Sequence, residues 1–99
     1  MSLEAVRVVA HIRARKGKEL ELKTILMTML EPTRREKGCR EYRLYQNSQD
    51  PLDLTFVEEW DSEPQLEVHL QTPHVQAALS KVPGLSDGPP DVRRYRLVG

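Results

Sequence analysis

The hydrophobic residues of this chain change their spacing repeatedly, from every second position to every third or fourth and back, and that succession restricts the fold more than any single motif does. From Ala5 to Ala14 the pattern alternates, with Val6, Val8, Ala10, Ile12 and Ala14 on one side and Arg7, Val9, His11 and Arg13 on the other, which predicts a half-buried strand. Across residues 19–37, Leu22, Ile25, Leu26, Met29 and Leu30 describe one face of a helix; Pro32 should kink or loosen its last turn and Gly38 should end it. Residues 40–47 and 54–60 alternate on either side of the turn formers at 47–51, which predicts a hairpin. Ser62 with Gln65, and then Thr72-Pro73, mark the starts of two short helices carrying Leu66, His69 and Leu70, then Val75, Ala78, Leu79 and Val82. Val92 to Val98 alternates again, with Arg94 and Arg96 on one side and Tyr95 and Leu97 on the other. Strand, helix, strand, strand, helices, strand is the α+β split βαβ order, an antiparallel sheet with helices on one face, filling residues 1–99 as a single domain.

Charge and length then limit the partners. Fifteen basic and 15 acidic residues cancel, so the long-range attraction that a nonspecific nucleic-acid or membrane binder uses is missing, and neither partner is expected. A chain of 99 residues buries only roughly 60–65% of its unfolded surface, and the sheet face turned away from the helices mixes Val9, Tyr45, Val57 and Tyr95 with Arg7, Arg43 and Glu59. Covering that face with a second copy predicts a homodimer. The lone Cys39 forms no intrachain disulfide, which suits a reducing cytoplasm, and no apolar run approaches the ~20 residues of a membrane span.

Three stretches, Lys37-Gly38-Cys39-Arg40-Glu41-Tyr42-Arg43-Leu44, Phe56-Val57-Glu58-Glu59-Trp60 and His69-Leu70-Gln71-Thr72-Pro73-His74, resemble in order and spacing the motifs of the antibiotic biosynthesis monooxygenase family. The resemblance implies a ferredoxin-like monomer that pairs its sheet with a second copy into a dimeric α+β barrel, with a small-molecule pocket between sheet and helices. It also implies a choice of chemistries, among them cofactor-free oxidation of hydroquinones or polyphenols, haem degradation and quorum-signal degradation. The haem-degrading branch looks for Asn, Trp and His where this chain has Ala10, His69 and Leu79, so haem is not an expected ligand.

A cofactor-free oxygenase takes its electrons from the substrate, so the protein has to deprotonate a phenol or enol and hold the anion in a dry pocket open to dioxygen. His69 is the candidate base, because imidazole titrates near neutrality and the residue shares an inner stripe with Leu66 and Leu70; the competing reading is a core histidine bonded to a backbone carbonyl. Glu58 stands in the apolar row Leu54, Phe56, Trp60, where desolvation should raise its pKa. It is expected to orient His69 or hold a substrate hydroxyl, or else to make a structural bond to Tyr42 or a backbone amide.

Trp60, Phe56 and Tyr42, with Met27 and Met29, are candidate walls for an aromatic substrate, though each is as readily plain core, and His74 is a candidate at the pocket mouth or in solvent. His11 falls on the dimer side. No metal site is expected, because His69 and His74 are five residues apart across a helix break and no H-E-x-x-H spacing occurs. No cofactor is expected either, and Cys39 lacks the neighbours of an activated thiol. Arg93, Arg94 and Arg96 are expected to pair with Glu41 and Glu59 at the dimer seam. The expected activity is oxidation of a small hydroquinone or polyphenol by dioxygen. The alternatives are an oxygen-independent isomerase or degradative enzyme for a small carbonyl compound, and a noncatalytic binding dimer.

Overall fold

The computed structural model describes residues 4–99. Four strands, β1 (Val6–Arg13), β2 (Cys39–Asn47), β3 (Asp50–Trp60) and β4 (Asp91–Tyr95), form one antiparallel sheet in the order β2-β3-β1-β4. Helices α1 (Glu19–Met27), α2 (Leu30–Arg34), α3 (Glu63–Leu70) and α4 (Pro73–Leu79) belong to the two crossovers, and a 3-10 turn at Val82–Gly84 follows α4. The fold is α+β and ferredoxin-like. No helix among the described residues is long and apolar enough to cross a membrane.

The strand period sets the two faces. Val6, Val8, Ala10 and Ile12 of β1 and Leu54, Phe56, Glu58 and Trp60 of β3 turn inward and are buried together with Leu22 and Leu26 of α1, Leu66 of α3 and Val75 of α4. Register aligns Tyr42, Glu58 and Val8 across three strands, so one carboxylate lies inside an otherwise apolar layer. A bulge between Cys39 and Glu41 adds one residue to β2, which lets Cys39 and Tyr42 both sit over the inner face although their numbers differ in parity. On the opposite face Arg7 bonds Glu41 at 2.9 Å and Glu59 at 3.4 Å, among half-exposed Val9, Val57, Tyr45 and Tyr95.

Several boundaries differ from expectation for local reasons. The long helix breaks at Thr28-Met29, upstream of Pro32, where the amides of Thr28 and Met29 close 3-10-type bonds to Ile25 and Leu26. Pro32 falls in the first turn of α2, where its missing N–H costs least. The hairpin turn is only Ser48-Gln49: the side chains of Asn47 and Asp50 accept the amides of Gln49 and Leu52, so pairing resumes at Asp50, four residues earlier than the alternation suggests. Ser62 and Thr72 do open α3 and α4, but neither hydroxyl bonds a helix-start amide. The last strand ends at Tyr95, leaving Leu97 and Val98 exposed beyond it. Met27 is half-exposed, and within the single chain the arginines expected at a dimer seam make local pairs. Arg93 bonds Asp91, Arg94 bonds Glu63 and Glu67 of α3, Arg96 approaches Glu4, and Glu41 and Glu59 belong to Arg7.

Gly38 fixes the entry to β2. Its φ is 89°, and a Cβ there would stand 2.4 Å from the side chain of Gln65. Gln65 can move, but the left-handed backbone cannot be relieved, so Gly38→Ala should lower stability by about 1–2 kcal/mol. A thermal melt unchanged by the substitution would show that the turn rearranges freely.

Candidate active site

A cavity of about 240 Å³ lies between the inner face of the sheet and the helices α3 and α4. Val8, Ala10 and Phe56 form its sheet wall, Leu66 and Val75 its helix wall, and its polar lining residues are Tyr42, Glu58, His69 and Arg94. The Arg94 guanidinium is engaged by Glu63 at 2.6 Å and Glu67 at 2.8 Å on α3.

His69 is 3% exposed, which is uncommon for histidine, and the reason is a carboxylate behind it. Glu36, in the turn after α2, places Oε2 2.7 Å from His69 Nδ1 and also 2.7 Å from His74 Nε2. The helix break at Gln71-Thr72 turns the chain, so α3 and α4 aim their two imidazoles at one oxygen. Hydrogen placement follows from the partners. A carboxylate only accepts, so both nitrogens facing it carry protons. Thr72 Oγ1 donates to the His69 carbonyl at 2.7 Å and therefore accepts from His74 Nε2 at 3.2 Å, in agreement. Burial pushes the His69 pKa down against the upward pull of Glu36, so the ring is neutral near pH 7. With its proton on Nδ1, the Nε2 lone pair is free. That nitrogen has no hydrogen-bond partner among the described residues and belongs to a ring that lines the cavity.

Glu58 takes a different partner. Its Oε1 accepts from Trp60 Nε1 at 2.9 Å, and burial lifts its pKa to about 7, partly offset by that bond and reinforced by the Glu36 charge. Trp60 is fully buried with its ring 4.5 Å from that of His69, and Tyr42 meets His69 edge-on at 5.4 Å and Phe56 at 5.0 Å. These rings clamp the imidazole from the sheet side. The Tyr42 hydroxyl donates to the Met29 thioether at 3.9 Å and sits beside Thr33, whose buried Oγ1 has no hydrogen-bond partner within normal geometry among the described residues. Burial first, then the Glu58 charge, pushes the Tyr42 pKa upward, so its hydroxyl keeps its proton and remains a donor.

The sequence profile of the antibiotic biosynthesis monooxygenase family matches residues 5–81. The chain belongs to that family. A probable quinol monooxygenase of Escherichia coli is 32% identical over 91 residues, covering 78% of this chain and 84% of its own. An uncharacterised Synechocystis protein is 28% identical over 94 residues, 95% of this chain but only 64% of that longer protein. The solved structure of a Mycobacterium tuberculosis protein superposes with a TM-score of 0.91 at 29% identity, covering 97% of each chain. The family match takes in Glu36, Glu58, His69 and His74 and stops before β4, which adds Val92 and Arg94 to the cavity. Part of the cavity wall therefore lies outside the match.

Of the residues singled out from sequence, Tyr42, Phe56, Glu58 and His69 meet at the cavity. Trp60 stands behind His69 and does not line the cavity, because the last inward position of β3 lies under α3. His74 does not reach the cavity either; it closes the far side of Glu36. Glu58 makes no hydrogen bond to His69; Glu36 holds that ring. Glu36 was missed because it follows the last helical residues, where no period marks a side chain as inward. Its one signal is its place two residues before the Gly38 turn, which carries the chain into β2. Two histidines and a carboxylate do cluster, contrary to the reading that the helix break separates them, while His11 sits on the far face with Thr55 and Asp53. Burial and the charges of Glu36 and Glu58 push the Cys39 thiol up to about 11, so it is no nucleophile.

Proposed function

We propose that this protein is a monooxygenase that oxidises a small hydroquinone-type aromatic compound with dioxygen, using no metal and no organic cofactor. The observation that carries the reading is the neutral His69, its Nδ1–H locked on Glu36 and its Nε2 lone pair free on a ring that lines an apolar cavity. An apolar cavity of about 150 Å³ admits benzene. The volume here, about 240 Å³, accommodates one substituted aromatic ring.

His69 Nε2 removes a phenolic proton, and the phenolate, poorly solvated among Val8, Phe56 and Leu66, becomes electron-rich enough to reduce dioxygen. One oxygen atom is added to ring carbon and the other leaves as water, so hydroquinone and O2 give hydroxyquinone and water with all electrons drawn from the substrate. Tyr42 donates to the substrate oxygen. Glu58, poised near neutrality on the same cavity, holds the second hydroxyl. The relative named as a quinol monooxygenase supports this substrate class.

The test is dissolved-oxygen consumption by chelator-treated protein with a panel of hydroquinones and anthrone-like phenols. Uptake above the spontaneous rate, with one oxygen atom from 18O2 in the product, is the expected result. Turnover of a carbonyl compound without oxygen would replace it with acid-base chemistry by His69 and Glu58, for which the same pair of groups suffices. Binding without turnover of either kind would leave a binding protein.

The assembly is proposed to be a homodimer closed over the outer sheet face, where Val9, Val57, Tyr45 and Tyr95 surround the Arg7 ion pairs. Light scattering at micromolar concentration should give twice the chain mass. A monomer would overturn the dimer and leave that face to water.

A further inference from the structure

We propose that Glu36, His69 and His74 form a binding site for a divalent cation of the zinc class, and that filling it disables His69 as a base. The three donors are His69 Nδ1, His74 Nε2 and Glu36 Oε2, all within 4.8 Å of one another. Two imidazoles and a carboxylate are the donor set that zinc takes in open three-ligand sites. Both N–H groups end on the same oxygen at 2.7 Å, so two protons now occupy the point where a cation would sit. Replacing them with bonds of about 2.0–2.2 Å to each donor requires the carboxylate to retreat by roughly an ångström and the two ring nitrogens, which now lie within 4.8 Å of each other, to close to about 4 Å or less. Glu36 is free to do so, since it lies in a turn outside α2 and has three side-chain torsions.

His69 is packed against Trp60 and Tyr42, so the approach falls to His74, whose partly exposed ring has only Thr72 Oγ1, 3.2 Å from Nε2, beside the Glu36 contact and can turn about its side-chain torsions. Electrostatics favour the ion as well. Glu36 is largely buried, and no lysine or arginine pairs with it among the described residues; its hydrogen-bond partners are the two imidazoles. A buried carboxylate with no cation beside it is a costly arrangement that a bound cation relieves. His74 remains partly exposed, which opens a path from solvent that does not pass through the substrate cavity.

The consequence for chemistry follows from the imidazole itself. A metal takes the lone pair of Nδ1, so the single proton of a neutral ring must move to Nε2. The nitrogen that accepted a proton from substrate then becomes a donor, and base and metal exclude each other. This second half rests on the proposed oxygenase reading; cation binding does not.

The experiment is calorimetric titration of chelator-stripped, untagged protein with Zn2+, repeated with Co2+ to record its visible spectrum. One ion per chain with a micromolar or tighter dissociation constant, and intense tetrahedral-type Co2+ bands, is the expected result. His74→Ala should weaken binding at least tenfold, and His11→Ala should leave it unchanged. No binding at micromolar concentrations, or binding indifferent to His74→Ala, would overturn the site. Where oxygen uptake is measurable, stoichiometric Zn2+ should suppress it and a chelator restore it; undiminished uptake with the site filled would overturn the disabling step. Absence of oxygen uptake in metal-free protein would defeat the oxygenase reading while calorimetry still decides the site.

Discussion

His69→Ala should lower oxygen uptake with hydroquinone by about 10²- to 10⁴-fold, the range that a positioned general base contributes. The substitution removes the one imidazole nitrogen on the cavity that is free to accept a proton and leaves the apolar walls, so the protein would still bind substrate and lose turnover. Because His69 is buried against Trp60, the alanine also opens a void, and His69→Gln, which fills more of it without providing a base, separates the two effects. Glu36→Gln should approach the same loss by another route. A glutamine amide can donate to Nδ1, which moves the imidazole proton to Nε2 and presents the substrate with a donor in place of a base. Turnover within threefold of wild type in both His69→Gln and Glu36→Gln, measured on folded protein, would take the pair out of the mechanism.

The contrast between Glu58 and Glu36 shows which parts of such a site a sequence discloses. Glu58 is legible because a strand has a strict period of two, so a carboxylate between Phe56 and Trp60 must face the same way as they do. The inward stripe of α3 gives His69 for the same reason. Glu36 has no period to betray it: it lies in a turn, and its role depends on where α3 and α4 bring their histidines, contacts 33 and 38 residues away. His74 was placed on the right helix turn, but the direction of its ring depends on the angle between α3 and α4. Element order and sheet topology were readable throughout. The boundaries that moved are set at Thr28 by 3-10 backbone bonds, at Asp50 by hydrogen bonds to side chains and at Tyr95 by the end of strand pairing, none of which a hydrophobic pattern encodes.

Glu58 should also make the stability of the fold depend on pH with a sign opposite to that of an ion-paired carboxylate. Its pKa is raised from an ordinary value of 4.5 to about 7, chiefly by burial, so the folded state prefers the protonated form. The unfolded chain binds fewer protons at this group between those values, and stability contributed by it is complete below about pH 4.5 and lost as pH rises through 7. A shift of that size corresponds to about 3 kcal/mol. His69 slopes the other way, since its depressed pKa favours the neutral ring and costs stability as pH falls below its ordinary value of 6.5. The raw melting profile is thus a sum of opposing trends, and the difference between wild type and Glu58→Gln isolates the carboxyl. Glutamine keeps an oxygen to accept the Trp60 Nε1–H bond and cannot ionise. Urea unfolding should place the two proteins close together at pH 5 and the variant ahead by up to about 3 kcal/mol at pH 8.5. A difference that does not vary with pH would mean that Glu58 ionises in the folded protein as readily as in the unfolded chain, and it would then enter the cavity as a fixed negative charge.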